Sequence, residues 1–476
     1  MFKIKHNTNC IFLILLMLLA FLVLPNTGPF ASQSVFHITN DYFNFTKSLL
    51  NGQVLYTNLY DHKGLFLFVL YIIPVLISDT SFIGVFLFEG LISAGIVLSC
   101  YKFSSYRYGN KIGLILSALV VLILKTAFPS TMLNTEPICI IILFLMLHHM
   151  DKESYKNYSI KSYIVFGLLF GVLFWMKYPM IVVLFPFWLF ILYYSVKNKN
   201  TLLFVRRCFV SFLSFVVFSI PLITYFIYHN NISKIFDVYF GKVGFEMFSF
   251  FTSGSTVEYS AFFIIILSLM GCFCVFKKID LYYLISLLFV FFLTNNAGVR
   301  TYTASFLVVL IVLFIPKLFS RKIGKILCFV ALPLFLLLNL PIILPSYNDN
   351  YKTIKELSIK YEITNQNILY IGEDVGFGSF SEEPYKLKFQ WYPSRIAYED
   401  NDDGYYSILK YAKEKEFEYV AIKSYDYDYT ISKDMLKTNR FANIVFAVQQ
   451  NYEVIETFEY NDGCMTPYYL CRENNN

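Results

Sequence analysis

Long apolar runs recur along the first 345 residues, and they constrain the fold of this chain more than any other feature. Short loops that carry Lys and Arg separate the runs, and no such run follows Pro345. A helix of about 20 apolar residues crosses the hydrocarbon core of a bilayer. Apolar residues make up 57% of the 476 residues, whereas soluble domains contain about 45–50%. The sequence therefore predicts a polytopic α-helical membrane protein.

The apolar runs predict about eleven transmembrane helices. The predicted spans are residues 9–25, 81–103, 112–128, 137–150, 163–176, 180–196, 208–228, 259–276, 281–295, 301–316 and 326–345. A further apolar run at 64–78 has only 15 residues. As a helix it would extend about 22 Å, against a hydrocarbon core of about 30 Å. We predict that this run lies along the outer membrane surface as a juxtamembrane helix.

The basic residues determine the predicted topology. Residues 1–345 contain 25 Lys and Arg but 11 Asp and Glu, whereas residues 346–476 contain 14 and 22. If 64–78 does not cross the bilayer, six basic clusters fall on one side, which the positive-inside rule assigns to the cytoplasm. The clusters begin at Lys3, Lys102, Lys152, Lys197, Lys277 and Lys317. We predict a multi-pass plasma membrane protein with a cytoplasmic N-terminus, an extracytoplasmic C-terminal domain and no nucleic-acid partner.

The acidic C-terminal part has the pattern of a small α/β domain. Strands are predicted at 367–372 and 419–423, and helices at 351–361 and 405–416. Asn461-Asp462-Gly463, between apolar segments, is typical of a β-hairpin turn. We therefore predict a transmembrane domain at 1–345, with a first outer loop at 26–80, and an exported α/β domain at 346–476.

Four short motifs fall in predicted outer loops or at outer span ends. They are residues 52–56 (GQVLY), 61–64 (DHKG), 133–137 (LNTEP) and 299–302 (VRTY), and Asp41 precedes the first of them. This arrangement resembles the bacterial GT-C superfamily of integral membrane glycosyltransferases, which includes protein O-mannosyltransferases and the enzyme that adds aminoarabinose to lipid A. The resemblance covers the whole chain in layout, and it implies a GT-C-like transmembrane domain followed by an exported domain.

The resemblance also implies an activity. A GT-C-like enzyme would move a hexosyl or pentosyl group from a polyprenyl-phosphate donor to a cell-envelope glycan or lipid acceptor on the outer face, and would invert the anomeric centre. Membrane lipid, the lipid-linked sugar and the acceptor are the implied partners. No cofactor and no metal ligand set is implied, although a divalent cation is left open.

The acidic residues of the motifs are candidates for deprotonating or orienting hydroxyl groups of the substrates. An acceptor hydroxyl needs a base, and a positioned carboxylate typically contributes about 10²–10⁴ in rate. Asp41 is the first candidate for this base, and Asp61 is the second catalytic candidate. Asp61 and Glu136 would also orient hydroxyls of the sugar or the acceptor.

The basic residues of the motifs are candidates for binding the lipid phosphate, on which negative charge develops as the glycosidic bond breaks. Lys63 and Arg300 are assigned to this role, and Lys177, at an outer span end, is a further candidate. His62 is assigned to substrate binding rather than to a metal. The alternative for each lysine is a role as an interfacial anchor, because Lys side chains extend from span ends towards water.

Two other functions remain open at this stage. A flippase or transporter of envelope precursors would carry polar groups within its spans near the midplane, whereas most acids here fall in outer loops. A catalytically silent relative that binds glycans is the second alternative. It is suggested by departures from the family pattern. Members of the family usually have an acid further upstream than Asp41, at a place where this chain has Ser32-Gln33-Ser34. In addition, Leu65, Pro137 and Ala304 stand where the family has a Pro, a Glu and a His.

Overall fold

The computed structural model describes most of the first half of the chain and most of its C-terminal part. The described residues are 2–27, 37–61, 63–127, 132–152, 159–240, 305, 308–313, 315–316, 350–372, 374–390, 402–428, 430–461 and 465–474. The chain divides into two compact units. Unit 1 comprises Met1–Pro25, His62–Leu67 and Phe88–Pro345, and unit 2 comprises Asn26–Asp61, Phe68–Leu87 and Ser346–Asn476. Most of the predicted first outer loop thus groups with the C-terminal part, while the predicted domain limits stay a prediction.

Helices, most of them apolar, dominate the described residues up to 240. They are α1 (Phe2–Val23), α2 (His37–Leu50), α3 (Leu65–Ile77), α4 (Ile83–Tyr108), α5 (Asn110–Ala127), α6 (Thr135–Lys152), α7 (Ile160–Lys177), α8 (Phe185–Lys197) and α9 (Thr201–Tyr228). A 3₁₀ segment at Tyr178–Leu184 joins α7 to α8, and a π-helical turn at Ile235–Phe240 follows α9.

Among the described residues, three helical segments are long and apolar enough to cross a membrane: Ile83–Tyr108, Ile160–Ile181 and Thr201–Tyr228. Helices α1, α5, α6 and α8 coincide with four other predicted spans. The predicted spans 259–276, 281–295 and 326–345 lie outside the described residues, as does part of 301–316. The helical character of the first seven spans is confirmed, and the count of eleven stays a prediction.

The predicted surface run at 64–78 forms helix α3. It has 13 residues, which corresponds to about 20 Å, and it contains Pro74. Ile73 and Leu76 on this helix are exposed. The helix itself is confirmed, whereas its place at the outer membrane surface stays a prediction.

Within unit 1, helices α7 and α9 approach closely because α7 carries two glycines four residues apart. A Cβ atom on Gly167 would lie 2.1 Å from the carbonyl oxygen of Ser211, and one on Gly171 would lie 2.7 Å from the ring of Phe218. The Ser211 hydroxyl donates to the carbonyl oxygen of Tyr163 at 2.6 Å. This spacing of small residues is typical of tightly packed membrane helices. This packing fixes the position of α7, whose last residue is Lys177, against α9.

The C-terminal part of unit 2 forms a mixed four-stranded sheet with helices. Its elements are α10 (Asn350–Lys360), β1 (Ile368–Ile371), α11 (Asp402–Lys413), β2 (Tyr419–Lys423), α12 (Arg440–Asn451), β3 (Tyr452–Asn461) and β4 (Met465–Glu473). The strand order is β1-β2-β4-β3, with β1 and β2 parallel and the other two pairs antiparallel. Strands β1 and β2 are buried along their length, apart from the last residue of β2.

The strands and helices predicted for the C-terminal part are confirmed. Strands β1 and β2 lie at the two predicted strand positions, and α10 and α11 lie within a few residues of the predicted helices. The predicted hairpin is formed by β3 and β4, whose pairing ends at Asn461 and Met465. Export of this part across the membrane stays a prediction.

Candidate active site

In unit 2, the first motif (52–56) ends helix α2 and turns the chain towards Asp61. Gly52 has a φ of +86°, a left-handed conformation that glycine adopts without strain and that commonly ends helices. The amide of Tyr56 donates to the carbonyl oxygen of Leu59 at 2.7 Å, which closes the following turn. Tyr56 and Asp61 are both buried. The spacing of Gly52 and Tyr56 therefore has a local structural cause.

Asp41 lies on α2 and is only 5% exposed. Aromatic side chains on the same helix pack within unit 2, where Tyr42 contacts the rings of Phe68 and Tyr71 at centroid distances of 5.9 and 5.6 Å. Asp41 interacts electrostatically with Tyr385. The acid proposed as a base is thus withdrawn from water, unlike an ordinary loop carboxylate.

A second acid in unit 2, Asp374, is completely buried. Its carboxylate accepts hydrogen bonds from the Gly376 amide at 2.7 Å, the Asn44 side-chain amide at 2.9 Å and the Tyr385 hydroxyl at 2.5 Å. Burial raises the pKa of Asp374 above its usual range, although these hydrogen bonds oppose the increase. No motif in the sequence distinguishes this residue.

Lys47 on α2 is also buried in unit 2. Its ammonium nitrogen donates to the carbonyl oxygens of Gly378 at 3.1 Å and Ser381 at 2.7 Å. Burial lowers the pKa of Lys47 to about 7, although Asp374 acts in the opposite direction. Lys47 likewise belongs to none of the motifs. Its spacing from Asn40 and Asn44, at 40, 44 and 47, was the available signal, because residues three and four apart share a helix face.

In unit 1, the glycine of the second motif (61–64) lies directly against another part of the chain. The Gly64 amide donates to the carbonyl oxygen of Met176 at 3.0 Å. A Cβ atom on Gly64 would lie 2.0 Å from the carbonyl oxygen of Trp175 and 2.8 Å from the hydroxyl of Tyr239. No side chain fits there, so only glycine allows Lys63 to sit next to the end of α7.

Unit 1 brings together three of the predicted site residues. The ammonium nitrogen of Lys177 lies 3.1 Å from a carboxylate oxygen of Glu136, in a pair whose side chains are 17% and 3% exposed. Lys63 is 9% exposed and also interacts electrostatically with Glu136. We call Lys63, Glu136 and Lys177 the lysine cluster. The other oxygen of Glu136 is buried and has no hydrogen-bond partner among the described residues.

The segment that carries Glu136 is fixed on several sides within unit 1. The side-chain oxygen of Asn134 accepts a hydrogen bond from the amide of Thr135 at 2.7 Å. Glu136 lies in the first turn of α6, where the helix dipole favours an acid. The Ser305 hydroxyl donates to the carbonyl oxygen of Glu136 at 3.1 Å. One turn upstream, the Met132 amide donates to the side chain of Glu89 at 3.0 Å, so this acid, which lies within a predicted span, has an internal partner.

The remaining predicted site residues divide as follows. Unit 2 holds Asp41 and Asp61, both buried. His62 and Arg300 lie outside the described residues. Within the described ranges, no three His, Cys, Asp or Glu side chains are grouped so that they could hold a metal ion. The assignment of roles to these residues stays a prediction.

Similarity to known proteins agrees with the motifs. A family model described as dolichyl-phosphate-mannose-protein mannosyltransferase matches residues 61–225, a stretch that includes Lys63, Glu136 and Lys177. No curated protein matches the chain in sequence.

Solved structures share the fold at low sequence identity. ArnT from Cupriavidus metallidurans, bound to undecaprenyl phosphate, is 9% identical with a TM-score of 0.57, and the match covers 98% of each chain. The same protein in the apo state is 10% identical with a TM-score of 0.54, again over 98% of each chain. The Archaeoglobus fulgidus oligosaccharyltransferase, tethered to an acceptor peptide, is 12% identical with a TM-score of 0.51, over 97% of this chain and 74% of that chain.

These similarities concern the fold of the chain. Both matched enzymes are membrane glycosyltransferases of the GT-C superfamily, and the resemblance predicted from the motifs is confirmed. The chain shares the overall fold of these two enzymes, and three helices among its described residues are long and apolar enough to cross a membrane.

Proposed function

We propose that the chain is an inverting glycosyltransferase that moves a sugar from a polyprenyl-phosphate donor to a cell-envelope glycan or lipid acceptor on the outer face of the membrane. The lysine cluster is the observation that carries this proposal. Two lysines that are largely withdrawn from water interact with the same buried carboxylate. Buried cations of this kind suit an anionic ligand, because charges interact more strongly where water is excluded.

The lysine cluster has a defined task in such a reaction. The bond between the anomeric carbon and the phosphate oxygen breaks, and its electron pair leaves with the lipid phosphate. Lys63 and Lys177 stabilise the negative charge that develops there. Glu136 holds Lys177 at 3.1 Å and, with Asp61, orients hydroxyls of the sugar or the acceptor. Arg300 and His62 are assigned to the same substrate-binding group.

Asp41 is the proposed base. The acceptor oxygen forms the new bond to the anomeric carbon, and its proton passes to the Asp41 carboxylate. Attack from the face opposite the leaving phosphate inverts the anomeric centre. The burial of Asp41, at 5% exposed, supports this role, because its carboxylate is held within packed protein rather than in an exposed loop.

The similar structures support the choice of substrates. ArnT from Cupriavidus metallidurans binds undecaprenyl phosphate, and the archaeal oligosaccharyltransferase carries an acceptor peptide. For this chain, a lipid-linked donor and a separate acceptor are inferred by analogy with them. The type of sugar is left to experiment.

Two substitutions separate catalysis from donor binding. Asp41→Asn should abolish transfer in a reconstituted assay and leave polyprenyl-phosphate binding intact, because it removes a proton acceptor and not a cation. Lys63→Ala should weaken binding itself. A charge-assisted hydrogen bond contributes about 1.5–3 kcal/mol, or about 10- to 150-fold in affinity.

Matched controls come from the same parts of the chain. Asp403→Asn changes an exposed acid of unit 2, and Lys234→Ala removes an exposed lysine of unit 1. Neither control should change transfer or donor affinity. Full transfer by Asp41→Asn would remove Asp41 as the base and make Asp61 the next residue to test.

A further inference from the structure

Helix α2 carries Asp41 and belongs to unit 2. One polar face of this helix contacts a single segment of the C-terminal part, which belongs to the same unit. The face consists of Asn40, Asn44, Lys47 and Ser48, whose spacing places them on the same side of a helix. Residues 374–385, which we call the anchor segment, supply all of the partners described below. The two stretches are more than 320 positions apart in sequence.

The first half of the contact centres on Asp374. The side-chain amide of Asn40 donates to the main-chain carbonyl oxygen of Asp374 at 3.0 Å. The side-chain amide of Asn44 donates to the Asp374 carboxylate at 2.9 Å and to the Ser379 hydroxyl at 2.9 Å. The Tyr385 hydroxyl donates to the same carboxylate oxygen as Asn44. All of these groups are buried.

The second half of the contact continues along α2. Lys47 donates to two carbonyl oxygens of the anchor segment. The amide of Tyr385 donates to the Ser48 hydroxyl at 2.9 Å, and the side chain of Gln53 donates to the carbonyl oxygen of Tyr385 at 2.6 Å. Hydrogen bonds therefore follow the helix from residue 40 to just beyond its end.

A buried polar contact of this kind holds a helix at a cost in free energy. Withdrawing a carboxylate from water costs several kcal/mol, and apolar side chains of similar volume often stabilise a protein as well or better. A buried hydrogen-bonded network instead favours the single arrangement in which its donors and acceptors meet. Rotation of α2 by one residue, about 100°, would separate every donor and acceptor on this face. The network therefore fixes the rotation of α2 about its own axis.

That rotation determines where the Asp41 carboxylate points. Asp41 follows Asn40 directly, so it projects from the flank of the bonded face. Tyr385, which donates to Asp374, also interacts electrostatically with Asp41. Tyr370 likewise interacts with both acids. The two tyrosines thus connect the anchor to the acid that it would orient.

We propose that Asp374 is a positioning residue, which fixes the rotation of α2 and thereby places the Asp41 carboxylate for the transfer reaction. This inference rests on the proposed function, in which Asp41 is the base. It assigns to the C-terminal part a share in the turnover step in addition to any role in substrate binding.

The test exchanges the two partners of the central hydrogen bond. Asp374→Asn keeps the shape of the side chain but presents an amide to the donors of Asn44 and Tyr385. The double variant Asn44→Asp with Asp374→Asn restores a donor–acceptor pair with reversed polarity. Tyr452→Phe is the matched control. It removes a buried hydroxyl of unit 2 that donates to the carbonyl oxygen of Phe417 at 3.0 Å, and this hydrogen bond does not involve α2.

Three quantities are compared in the full-length chain: kcat, the KM for the lipid donor, and hydrogen exchange of the α2 amides. Asp374→Asn should lower kcat by up to about 100-fold, since a misplacement of about 1 Å costs that much. Its donor KM should stay at the wild-type value, because the lysine cluster is unchanged. Exchange in α2 should accelerate. The double variant should recover both kcat and protection, and Tyr452→Phe should keep both.

Each contrary result has a separate meaning. Normal exchange in Asp374→Asn would show that Asp374 does not hold α2, which overturns the inference. Accelerated exchange with unchanged kcat would show an anchor that does not position the base, which also overturns it. The inference is also overturned if the double variant restores slow hydrogen exchange in α2 but does not restore kcat. If the wild type transfers no sugar, the proposed function fails and the catalytic role of the anchor fails with it, while the exchange data still decide whether Asp374 fixes α2.

Discussion

The substitution Gly64→Ala tests the role of the glycine that follows Lys63. A Cβ atom at this position would lie 2.0 Å from the Trp175 carbonyl oxygen, whereas an ordinary contact is about 3.5 Å. The two chain segments would have to separate by about 1.5 Å. Because the obstacle is main chain, a change of rotamer cannot relieve it.

The expected loss follows from two contributions. Forcing an extra carbon into a packed site costs about 1–3 kcal/mol. Stretching the hydrogen bond from the Gly64 amide to Met176 costs about 0.5–1.5 kcal/mol more. The sum is about 1.5–4.5 kcal/mol of stability. A shift of this size next to Lys63 and Lys177 should also lower the transfer rate by about 100-fold.

Thermal unfolding in detergent and sugar transfer in liposomes measure the two effects. Gly95→Ala is the control, because its Cβ would meet only the terminal methyl of Ile141, at 3.2 Å. Alanine also favours a helix over glycine by about 1 kcal/mol, so this variant should be close to wild type. A Gly64→Ala chain that melts and turns over like the wild type would refute the reasoning.

Three further predictions concern other parts of the chain. Burial lowers the pKa of Lys47 from 10.5 to about 7, so the folded chain binds fewer protons than the unfolded chain between these values. The stability of the wild type relative to Lys47→Met should therefore rise by about 2 kcal/mol from about pH 7 to 9 in thermal unfolding, and a fall would contradict the burial argument. Glu136→Gln removes the charge paired with Lys177, so it should cost about 1–3 kcal/mol in melting experiments and reduce turnover less than the base substitution does; wild-type stability would argue against the pair. Tags at Ser105 should report cytoplasmic and tags after Ser346 exported, and an inward tail would contradict the surface position of α3.

Local patterns in the sequence predicted much of the architecture. The apolar runs predicted helices α1 and α4–α9 because spans must be long and apolar. The turn signal at 461–463 and the short apolar segments predicted the hairpin and the strands of the C-terminal part. Helix limits were less accurate. Helix α4, for example, continues to Tyr108, beyond its apolar part, because Lys102 and Arg107 can extend from a helix end towards water.

The candidate site was predictable only where its residues belong to a motif or lie at an outer span end. Lys63, Glu136 and Lys177 were recognised by position and motif, and the structure brings them together in unit 1. Asp374 was missed, because nothing in its neighbourhood indicates that Asn44, 330 positions away, is its partner. Periodicity reports which face of a helix is polar, but it does not report what that face contacts.

The burial of Asp41 was the other feature that sequence could not supply. An acid in a long polar loop is ordinarily solvated, and here it is 5% exposed because its helix is packed by aromatic side chains. Likewise, the requirement for Gly64 depends on Trp175, which lies 111 positions further along the chain. Both features depend on contacts between distant segments.

The most direct test of the central claim uses the wild-type chain in liposomes with a polyprenyl-phosphate-linked sugar and a cell-envelope acceptor. We expect release of free polyprenyl phosphate in step with glycosylation of the acceptor, with the anomeric configuration of the product inverted. The result that would contradict it is movement of the intact lipid-linked sugar across the bilayer with no release of polyprenyl phosphate, as a flippase would produce.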